Sequence, residues 1–326
     1  MKALVYRRYG GPEELVLTDV PLPQPREREV LVRVDAASIN AADRVLLRGK
    51  PFAIRLGMGV LRPRHPILGF DVAGRVEAVG SGVTQFRVGE DVFGASEFGA
   101  FAEFVCVNED RLVPKPSNVS FEQAAATPTA GYTAIQGLRK GRIEAGQTVL
   151  IDGASGGVGT FAIQIARAHG ADVTAVCSTR NVETARALRA SRVIDYRRQD
   201  FTADGQRYDL VLAANAYRPL SDYRKVLKPN GVYVMTGGGG VQILQAMLLG
   251  GLVSMTSHRQ MGNLLAIARK NDLVTLKDLL ETGKIRPVID RAVALSEVPD
   301  AIRSLEEEHA RGKIVVRPEL APGHTP

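Results

Sequence analysis

The sequence predicts an α/β protein with a doubly wound parallel sheet in one domain and a β-rich, partly open barrel in the other. Three observations support this: closely spaced strand patterns in the first 120 residues, alternating strands and helices from 147 to 236, and clustered glycines. The 326 residues suffice for two hydrophobic cores. We predict that residues 1–121 and 284–326 form the barrel domain and that residues 122–283 form the sheet domain.

The barrel prediction rests on short apolar segments separated by Gly, Pro and Asn turns. Residues 29–34, 72–79 and 101–107 have strand composition, and their close spacing favours a barrel over a helical bundle. The chain returns to short strand and helix patterns from about residue 284, so we expect its end to rejoin this first domain. Residues after 318 have a loop composition and are expected to be mobile.

The sheet domain is predicted from regular alternation, which indicates a parallel sheet covered on both faces. The predicted strands are residues 147–151, 172–177, 193–195, 209–213 and 232–236. The predicted helices cover about 161–170, 181–189 and 220–227, and a turn follows at 228–231.

A glycine-rich loop at residues 153–159 joins the first strand of this sheet to its first helix. Small residues at 154, 156 and 159 would allow a tight turn, close approach of backbone to a pyrophosphate, and close packing of helix on strand. The N–H groups and dipole of the helix start favour an anion. We therefore predict a Rossmann-type domain whose dinucleotide contacts are Ser155, Gly156, Gly157, Val158 and Gly159.

The residues after the second strand favour NADPH as the cofactor. An NAD site usually has a carboxylate there, whereas this chain has Ser178, Thr179 and Arg180, with no acidic residue before Glu183. Two hydroxyls and a guanidinium suit a 2′-phosphate. Alternatively, Ser178 or Thr179 caps the next helix and Arg180 is a surface charge. Use of NADH as well is left open.

The same loop also fits the nucleophile elbow of an α/β-hydrolase, through Gly153, Ser155 and Gly157. Such an enzyme needs a histidine on a strand-end loop. The downstream histidines are His169, His258, His309 and His324. Because His169 falls in the first helix and His309 in a charged, helix-like stretch, dinucleotide binding is the favoured interpretation.

Composition limits the partners and the compartment. The net charge is +7, but no block of five like charges occurs, so nucleic acid is not the expected partner. Two cysteines, Cys106 and Cys177, exclude a disulfide framework and favour a reducing compartment. No apolar run is long enough to span a membrane. We expect a cytoplasmic protein.

Taken together, the motifs resemble the medium-chain dehydrogenase/reductase superfamily, specifically its zinc-independent quinone oxidoreductase-like branch. The likeness covers nearly the whole chain. The matching motifs are Ser38-Ile39-Asn40-Ala41-Ala42-Asp43, Pro66-Ile67-Leu68-Gly69-Phe70-Asp71-Val72-Ala73-Gly74, Gly131-Tyr132-Thr133-Ala134, the glycine-rich loop, Val193-Ile194-Asp195-Tyr196 and Gly312-Lys313. The resemblance implies a GroES-like barrel domain, a homodimer, and NADPH-dependent hydride transfer to a quinone or an α,β-unsaturated carbonyl.

The resemblance also implies an active site without zinc. Zinc members bind the metal through a Cys, a His and a second Cys, and the corresponding positions here look like Ser38, Phe70 and a residue near Ala126. Asn40 is expected beside the nicotinamide and substrate, where its amide would bond either the developing oxyanion or the nicotinamide ribose. Asp43 is a weaker catalytic candidate, expected to cap the following helix or to support Arg48.

Further contacts implied by the resemblance complete the predicted site. Asn40, Thr133, Tyr196, Gly237, Gly238 and Lys313 are expected to bind the cofactor. Residues 51–66, which are apolar and loop-like, are expected to wall an apolar substrate pocket. Residues 213–216 depart from the family pattern, so the turn there could differ, and residues 252–257 could form the dimer strand. The alternative function is a non-enzymatic, crystallin-like protein that binds NADPH or nucleic acid.

Overall fold

The computed structural model describes residues 1–238, 259–307 and 311–318. The chain divides into two compact units. The first comprises Met1–Thr129, Ala268–Gly283 and Pro287–Pro326, and the second comprises Ala130–Ile267 and Lys284–Arg286. The first unit is therefore discontinuous, but its boundaries differ from the predicted ones, because residues 122–129 and 268–283 belong to it and residues 284–286 do not.

Strands and helices follow one another along the described chain. The strands are β1 (Lys2–Val5), β2 (Val16–Asp19), β3 (Glu29–Ile39), β4 (Asp71–Val79), β5 (Asp91–Ala95), β6 (Phe104–Asn108), β7 (Leu112–Pro114), β8 (Thr148–Asp152), β9 (Asp172–Cys177), β10 (Arg192–Asp195), β11 (Tyr208–Ala213), β12 (Leu227–Met235), β13 (Gln260–Asn263), β14 (Ile289–Ala294) and β15 (Lys313–Arg317). The helices are α1 (Ala41–Arg48), α2 (Ala53–Met58), α3 (Phe121–Ala125), α4 (Pro128–Lys140), α5 (Gly157–Ala168), α6 (Val182–Ala187), α7 (Leu220–Lys225), α8 (Lys270–Glu281) and α9 (Val298–Glu307). Within these described ranges, no helix is long and apolar enough to cross a bilayer.

The first unit is a β-domain built around the long strand β3. Its main sheet has the order β14-β15-β3-β4-β5-β7, and β6 also pairs with β3. Ser38 on β3 lies opposite Val315 on β15 and opposite Asp71 on β4. This register brings the start of β15, the end of β3 and the start of β4 together, although they are far apart in sequence.

Helix α8 belongs to the first unit because its two ends are bonded there. The Lys270 ammonium donates to the backbone oxygens of Glu109, at 3.1 Å, and Leu112. At the other end, the Asn118 amide donates to the backbone oxygen of Leu280 at 3.0 Å. The helix pattern alone does not reveal these anchors, which is why the sequence places residues 268–283 in the wrong domain.

The second unit is a six-stranded parallel sheet of order β10-β9-β8-β11-β12-β13. Central β8 is fully buried over Val149, Leu150 and Ile151, as expected for a strand covered on both faces. The chain runs outward from β8 through β9 to β10 and then crosses to β11 on its other side. The strand order therefore reverses between β8 and β11, where ligands bind in sheets of this type.

Strand β12 begins earlier than predicted. The segment 228–231, predicted as a turn, lies within its assigned range as an irregularity in the pairing with β11. Asn230 there has a φ of 64°, which is the left-handed conformation that asparagine tolerates in turns. The predicted turn residues therefore do adopt a turn conformation at Asn230, but they lie inside the first part of β12 and do not precede it.

Candidate functional site

The glycine-rich loop at residues 153–159 follows β8 and opens α5, as predicted. Gly153 makes the tight turn, with a φ of 77°, and a Cβ there would lie 2.7 Å from the Cβ of Asn215. The turn residue is thus Gly153 and not position 154, where Ala154 is buried. At Gly159, a Cβ would lie 2.2 Å from the Gly153 carbonyl oxygen, so the close helix packing predicted for this position is present.

Gly156 differs from the other two glycines because the protein itself leaves it room. A Cβ there would meet its nearest atom at 3.7 Å, an ordinary contact, and its φ of −75° suits any residue. Gly156 is also the N-cap of α5 and has no side chain to accept from the first N–H groups of the helix. The loop thus fits an outside anion that approaches the backbone closely, as a cofactor pyrophosphate would.

Asp152, at the end of β8, is a titratable group that the sequence analysis did not single out. Tyr223 donates a hydrogen bond from its hydroxyl to Asp152 Oδ2 at 2.6 Å. Burial raises the pKa of Asp152 to about 6, although Tyr223 and the Gly153 N–H oppose the rise. Its position directly before the glycine loop is the only sequence signal for it.

The ends of β9 and β10 meet at the predicted 2′-phosphate region. Thr179 donates its hydroxyl to Asp195 Oδ2 at 2.7 Å, and the backbone N–H of Tyr196 donates to the Cys177 carbonyl at 3.1 Å. Ser178 is buried and makes no side-chain cap, although it occupies the N-cap position of the short 3₁₀ turn Thr179–Asn181. Neither the Ser178 hydroxyl nor the Thr179 hydroxyl therefore caps a helix.

The charges in this region favour an anion. Arg180, Arg197 and Arg198 are exposed, and the Arg198 guanidinium lies 3.6 Å from the Asp195 carboxylate. The Thr179 hydroxyl is the main cause that holds the pKa of Asp195 below its ordinary value. Because the Thr179 proton is committed to Asp195, this hydroxyl offers a phosphate only its lone pairs. Arg197 and Arg198 were missed, and the arginine pair after Tyr196 is the signal that points to them.

The loops after β11 and β12 pack closely at the same carboxyl edge of the sheet. A Cβ at Gly237 would lie 2.5 Å from the Ala214 oxygen, and one at Gly238 would lie 2.5 Å from the Ala216 oxygen. The Ala216 N–H donates to the Gly237 carbonyl at 2.9 Å, so the turn at 213–216 is ordered despite its departure from the family pattern. Thr133, on α4, is buried. Cofactor contacts by Thr133, Gly237 and Gly238 stay predictions.

In the first unit, Ser38, Asn40, Asp71 and Lys313 form a buried polar group that we call the Asp71 cluster. The Lys313 ammonium, on a residue that is 4% exposed, lies 2.5 Å from Asn40 Oδ1 and 3.1 Å from Asp71 Oδ2. Asp71 Oδ2 also accepts from Ser38 Oγ at 2.9 Å and from Asn40 Nδ2 at 3.0 Å, and Oδ1 accepts from the Thr129 N–H at 2.8 Å. The buried ion pair is therefore well supplied with hydrogen bonds, as its burial requires.

The cluster narrows what Asn40 can do. Its Nδ2 group donates to Asp71 and, at 3.3 Å, to the Ser38 carbonyl, so both amide hydrogens are used. One lone pair of Oδ1 remains after the bond from Lys313. Asn40 can thus accept a hydrogen bond from a ligand hydroxyl, such as one on the nicotinamide ribose, but the expectation that it donates to an oxyanion is wrong for this geometry.

Asp43 caps α1, which is one of the two structural roles expected for it. Its Oδ2 accepts from the Asn40 N–H at 2.8 Å, and its Oδ1 accepts from the Gly69 N–H at 3.0 Å. Burial raises the pKa of Asp43 to about 7, while these two donors oppose the rise. The expectation that Asp43 supports Arg48 is wrong, because Arg48 forms a two-point pair with Glu306 at 2.6 and 2.5 Å.

The positions that correspond to zinc ligands do not fit a zinc ion. Ser38 donates to Asp71, Phe70 packs against the Phe98 ring at a centroid distance of 5.2 Å, and Ala126 is buried at the end of α3. A benzene ring and a methyl group offer no lone pair to a metal. Across the part of the chain that the structure describes, no group of three His, Cys, Asp or Glu side chains could hold a metal.

Residues 51–66 contain α2 and present apolar side chains to solvent. Phe52, Leu56 and Leu61 are 60%, 67% and 91% exposed. The end of this segment lines a groove of about 900 Å³ on the first unit, together with Phe98 and Val5 of β1. Contact between this segment and a substrate stays a prediction.

The hydrolase interpretation gains nothing from the geometry. His169 caps the far end of α5, where its Nδ1 lies 2.8 Å from the Ile165 carbonyl. The twelve residues of α5 separate it from the glycine loop by about 18 Å at 1.5 Å per residue. His169 therefore cannot act as a base for Ser155. His258, His309 and His324 lie outside the described residues, as do residues 252–257.

Comparison with known proteins identifies the family. Residues 26–117 match the model of the alcohol dehydrogenase GroES-like domain, and residues 188–316 match that of a zinc-binding dehydrogenase. The chain is 34% identical to a chloroplast envelope quinone oxidoreductase homolog of Arabidopsis thaliana, over 98% of both chains. It is also 34% identical to the chloroplastic NADPH-dependent alkenal/one oxidoreductase of that plant, over 98% of this chain and 80% of the relative.

A solved structure agrees with these matches. The quinone oxidoreductase from Coxiella burnetii superposes with a TM-score of 0.86 at 33% identity, covering 97% of this chain and 99% of that one. The sequence motifs, both folded units and these relatives lead to one assignment. The chain belongs to the medium-chain dehydrogenase/reductase superfamily, among its quinone oxidoreductase-like members.

Proposed function

We propose that this protein is an NADPH-dependent reductase of quinones or α,β-unsaturated carbonyl compounds and that it works without zinc. The observation that carries the proposal is the space beside Gly156 in the glycine loop. The protein would accommodate a side chain at this position, but the residue is glycine. A dinucleotide pyrophosphate accounts for that room. The relatives supply the substrate class, because their names are those of quinone and alkenal/one oxidoreductases.

The proposed binding of NADPH divides among three groups of residues. Backbone N–H groups at the start of α5 would hold the pyrophosphate, aided by the helix dipole. Arg180, with Arg197 and Arg198, would hold the 2′-phosphate. The free lone pair of Asn40 Oδ1 would accept from a hydroxyl of the nicotinamide ribose. When bound, the cofactor would supply a hydride from C4 of its nicotinamide.

The chemistry suits a site that lacks a Lewis acid. A quinone or an enone spreads the negative charge of hydride addition over a conjugated oxygen, so it needs less electrophilic assistance than an alcohol or simple ketone does. The apolar side chains Phe52, Leu56 and Leu61 would contact the apolar body of such a substrate. The proton that completes the reduction would come from water or from a donor near the substrate.

The test of function is turnover. Purified protein should oxidise NADPH steadily with a panel of quinones and enones, with little change on addition of a zinc chelator. Loss of turnover with the chelator would contradict the zinc-free mechanism. Salt-sensitive RNA binding without turnover would instead favour the non-enzymatic alternative, and ester cleavage lost in Ser155→Ala would favour the hydrolase.

The test of cofactor choice is the variant Arg180→Ala. It should weaken NADPH binding roughly tenfold to a hundredfold, about 1–3 kcal/mol, and leave NADH binding nearly unchanged. Arg186→Ala is the matched control, because Arg186 is an exposed arginine on α6 that pairs with Glu183 at 2.6 Å. Equal losses for NADPH and NADH would contradict the assignment.

We also propose a cytoplasmic homodimer, from composition and from the family resemblance. The strand expected to pair across the dimer, residues 252–257, lies outside the described residues, and by name both Arabidopsis relatives are chloroplast proteins. Sedimentation of the purified protein and imaging of a tagged chain in its own cells test the two statements. A monomer at micromolar concentration, or a signal confined to an organelle, would contradict them.

A further inference from the structure

We propose that Lys313 acts in this reductase as a positioning residue, which with Asp71 fixes the amide of Asn40 so that it can only accept a hydrogen bond from the cofactor. The inference rests on the proposed function and deepens it. It is an alternative to the sequence expectation that Lys313 itself binds the cofactor, since Asn40 and Asp71 take up two of the three N–H donors of the ammonium group, at 2.5 and 3.1 Å.

The orientation of the Asn40 amide follows from its two charged neighbours. An ammonium group has no acceptor, so the atom of Asn40 that faces Lys313 must be the carbonyl oxygen. An ionised carboxylate has no donor, so the atom that faces Asp71 must be the nitrogen. Both neighbours demand the same orientation, and a flip of the amide would lose both bonds at once.

The fold delivers these three residues from distant parts of the chain. Asn40 follows β3 directly, Asp71 begins β4 and Lys313 begins β15, and β3 pairs with both β4 and β15. Lys313 is 4% exposed and Asn40 is 8% exposed, so solvent competes little with their bond. An exposed asparagine would rotate between its two amide orientations. Asn40 is instead held in one orientation, in which Oδ1 can accept a hydrogen bond from a ligand hydroxyl.

Coupling between the residues distinguishes positioning from direct contact. If Lys313 and Asp71 act on the cofactor through Asn40, replacing them in a protein that already lacks the Asn40 amide should cause little further loss of NADPH affinity. If Lys313 touches the cofactor directly, the two losses should add. The charge-neutral double variant Lys313→Met/Asp71→Asn leaves no unpaired buried charge, so it suits this comparison.

The experiment measures NADPH binding by fluorescence titration in four proteins: the unaltered chain, Asn40→Ala, Lys313→Met/Asp71→Asn, and the triple variant. We expect Asn40→Ala and the double variant each to weaken binding about tenfold, the worth of one hydrogen bond. The triple variant should be within about threefold of either. A triple variant weakened about a hundredfold would overturn the proposal, as would a double variant that binds NADPH like the unaltered chain.

Two controls separate this inference from the proposed function and from folding. Adenosine 2′,5′-bisphosphate lacks the nicotinamide half, so its affinity should be the same in all four proteins, and a parallel loss would show a general structural effect that overturns the proposal. If neither this ligand nor NADPH binds the unaltered chain, the proposed function itself fails. Lys270→Met removes another lysine of this unit and should leave NADPH affinity unchanged.

A further variant covers the case in which the double variant does not fold. Lys313→Gln keeps a neutral donor on β15 and leaves Asp71 with its bonds from Ser38, Asn40 and Thr129. It enters the same comparison with Asn40→Ala. Losses that fail to add support positioning through Asn40, and losses that add overturn it.

Discussion

The substitution Gly156→Ala separates cofactor binding from folding more cleanly than any other change in the glycine loop. The added Cβ would meet its nearest protein atom at 3.7 Å, and the backbone conformation, φ −75° and ψ 172°, is open to alanine. Alanine is a poorer N-cap than glycine by about 0.5–1 kcal/mol. It also restricts the unfolded chain, which offsets about 0.4–1 kcal/mol of that loss. The free energy of unfolding should therefore change by less than about 1 kcal/mol.

The effect of Gly156→Ala on the cofactor should be much larger. The methyl group would occupy the space in which a pyrophosphate oxygen reaches the N–H groups of α5, and hydrogen bonds to a charged group contribute about 1.5–3 kcal/mol each. Loss of one such bond corresponds to roughly tenfold to a hundredfold weaker binding, and loss of two to more than a hundredfold. Fluorescence titration with NADPH and thermal unfolding, both on the same preparation, measure the two quantities.

Gly159→Ala is the matched control for this prediction. Its Cβ would lie 2.2 Å from the Gly153 oxygen and 2.7 Å from the Ala154 Cα, so it should destabilise the fold by about 1–3 kcal/mol through overpacking. A Gly156→Ala protein that binds NADPH as tightly as the unaltered chain would refute the reasoning. So would one that is destabilised as much as Gly159→Ala.

Two other predictions concern Asp43 and Asp152, carboxylates whose pKa values burial raises. Asp43→Ala leaves the buried N–H groups of Asn40 and Gly69 without their acceptor, so urea unfolding should show a loss of about 2–4 kcal/mol, and a loss below about 1 kcal/mol would contradict the capping role. Burial raises the pKa of Asp152 from 3.8 to about 6. The free energy of unfolding that Asp152 contributes is therefore fully present below pH 3.8 and is lost as the pH rises through about 6. Tyr223 stabilises the charged form, so Tyr223→Phe should cost about 1–2 kcal/mol at pH 8 and less at pH 5, and urea unfolding that gives equal losses would contradict this.

Local patterns predicted the second unit well. The strands β8, β9, β10 and β11 lie within about two residues of their predicted positions, because a buried parallel strand is a short apolar run between turns. The glycine loop was found for the same reason, since its strand, turn and helix are contiguous in sequence. Strand β12 was predicted less well, because its irregular start depends on pairing with β11 and not on its own residues.

The Asp71 cluster shows what sequence patterns could not supply. Asn40, Asp71 and Lys313 were each singled out or quoted, but their contact depends on the register of three strands, and Lys313 lies more than 200 residues from the other two. The same limit applies to Asp152, whose raised pKa depends on burial beside Tyr223, and to α8, whose anchors lie on other elements. The sequence therefore could not show that Asn40 and Lys313 are bonded to each other.

The position of β15 has a consequence for how the protein is made. This strand comprises residues 313–317 and pairs directly with the central strand β3 of the first unit. A ribosome synthesises β15 after every other described strand. During synthesis of the second unit, β3 therefore lacks its pairing with β15. The second unit can pair all its described strands earlier, and translation that stopped before residue 313 would leave the first unit with an open edge and with no Lys313.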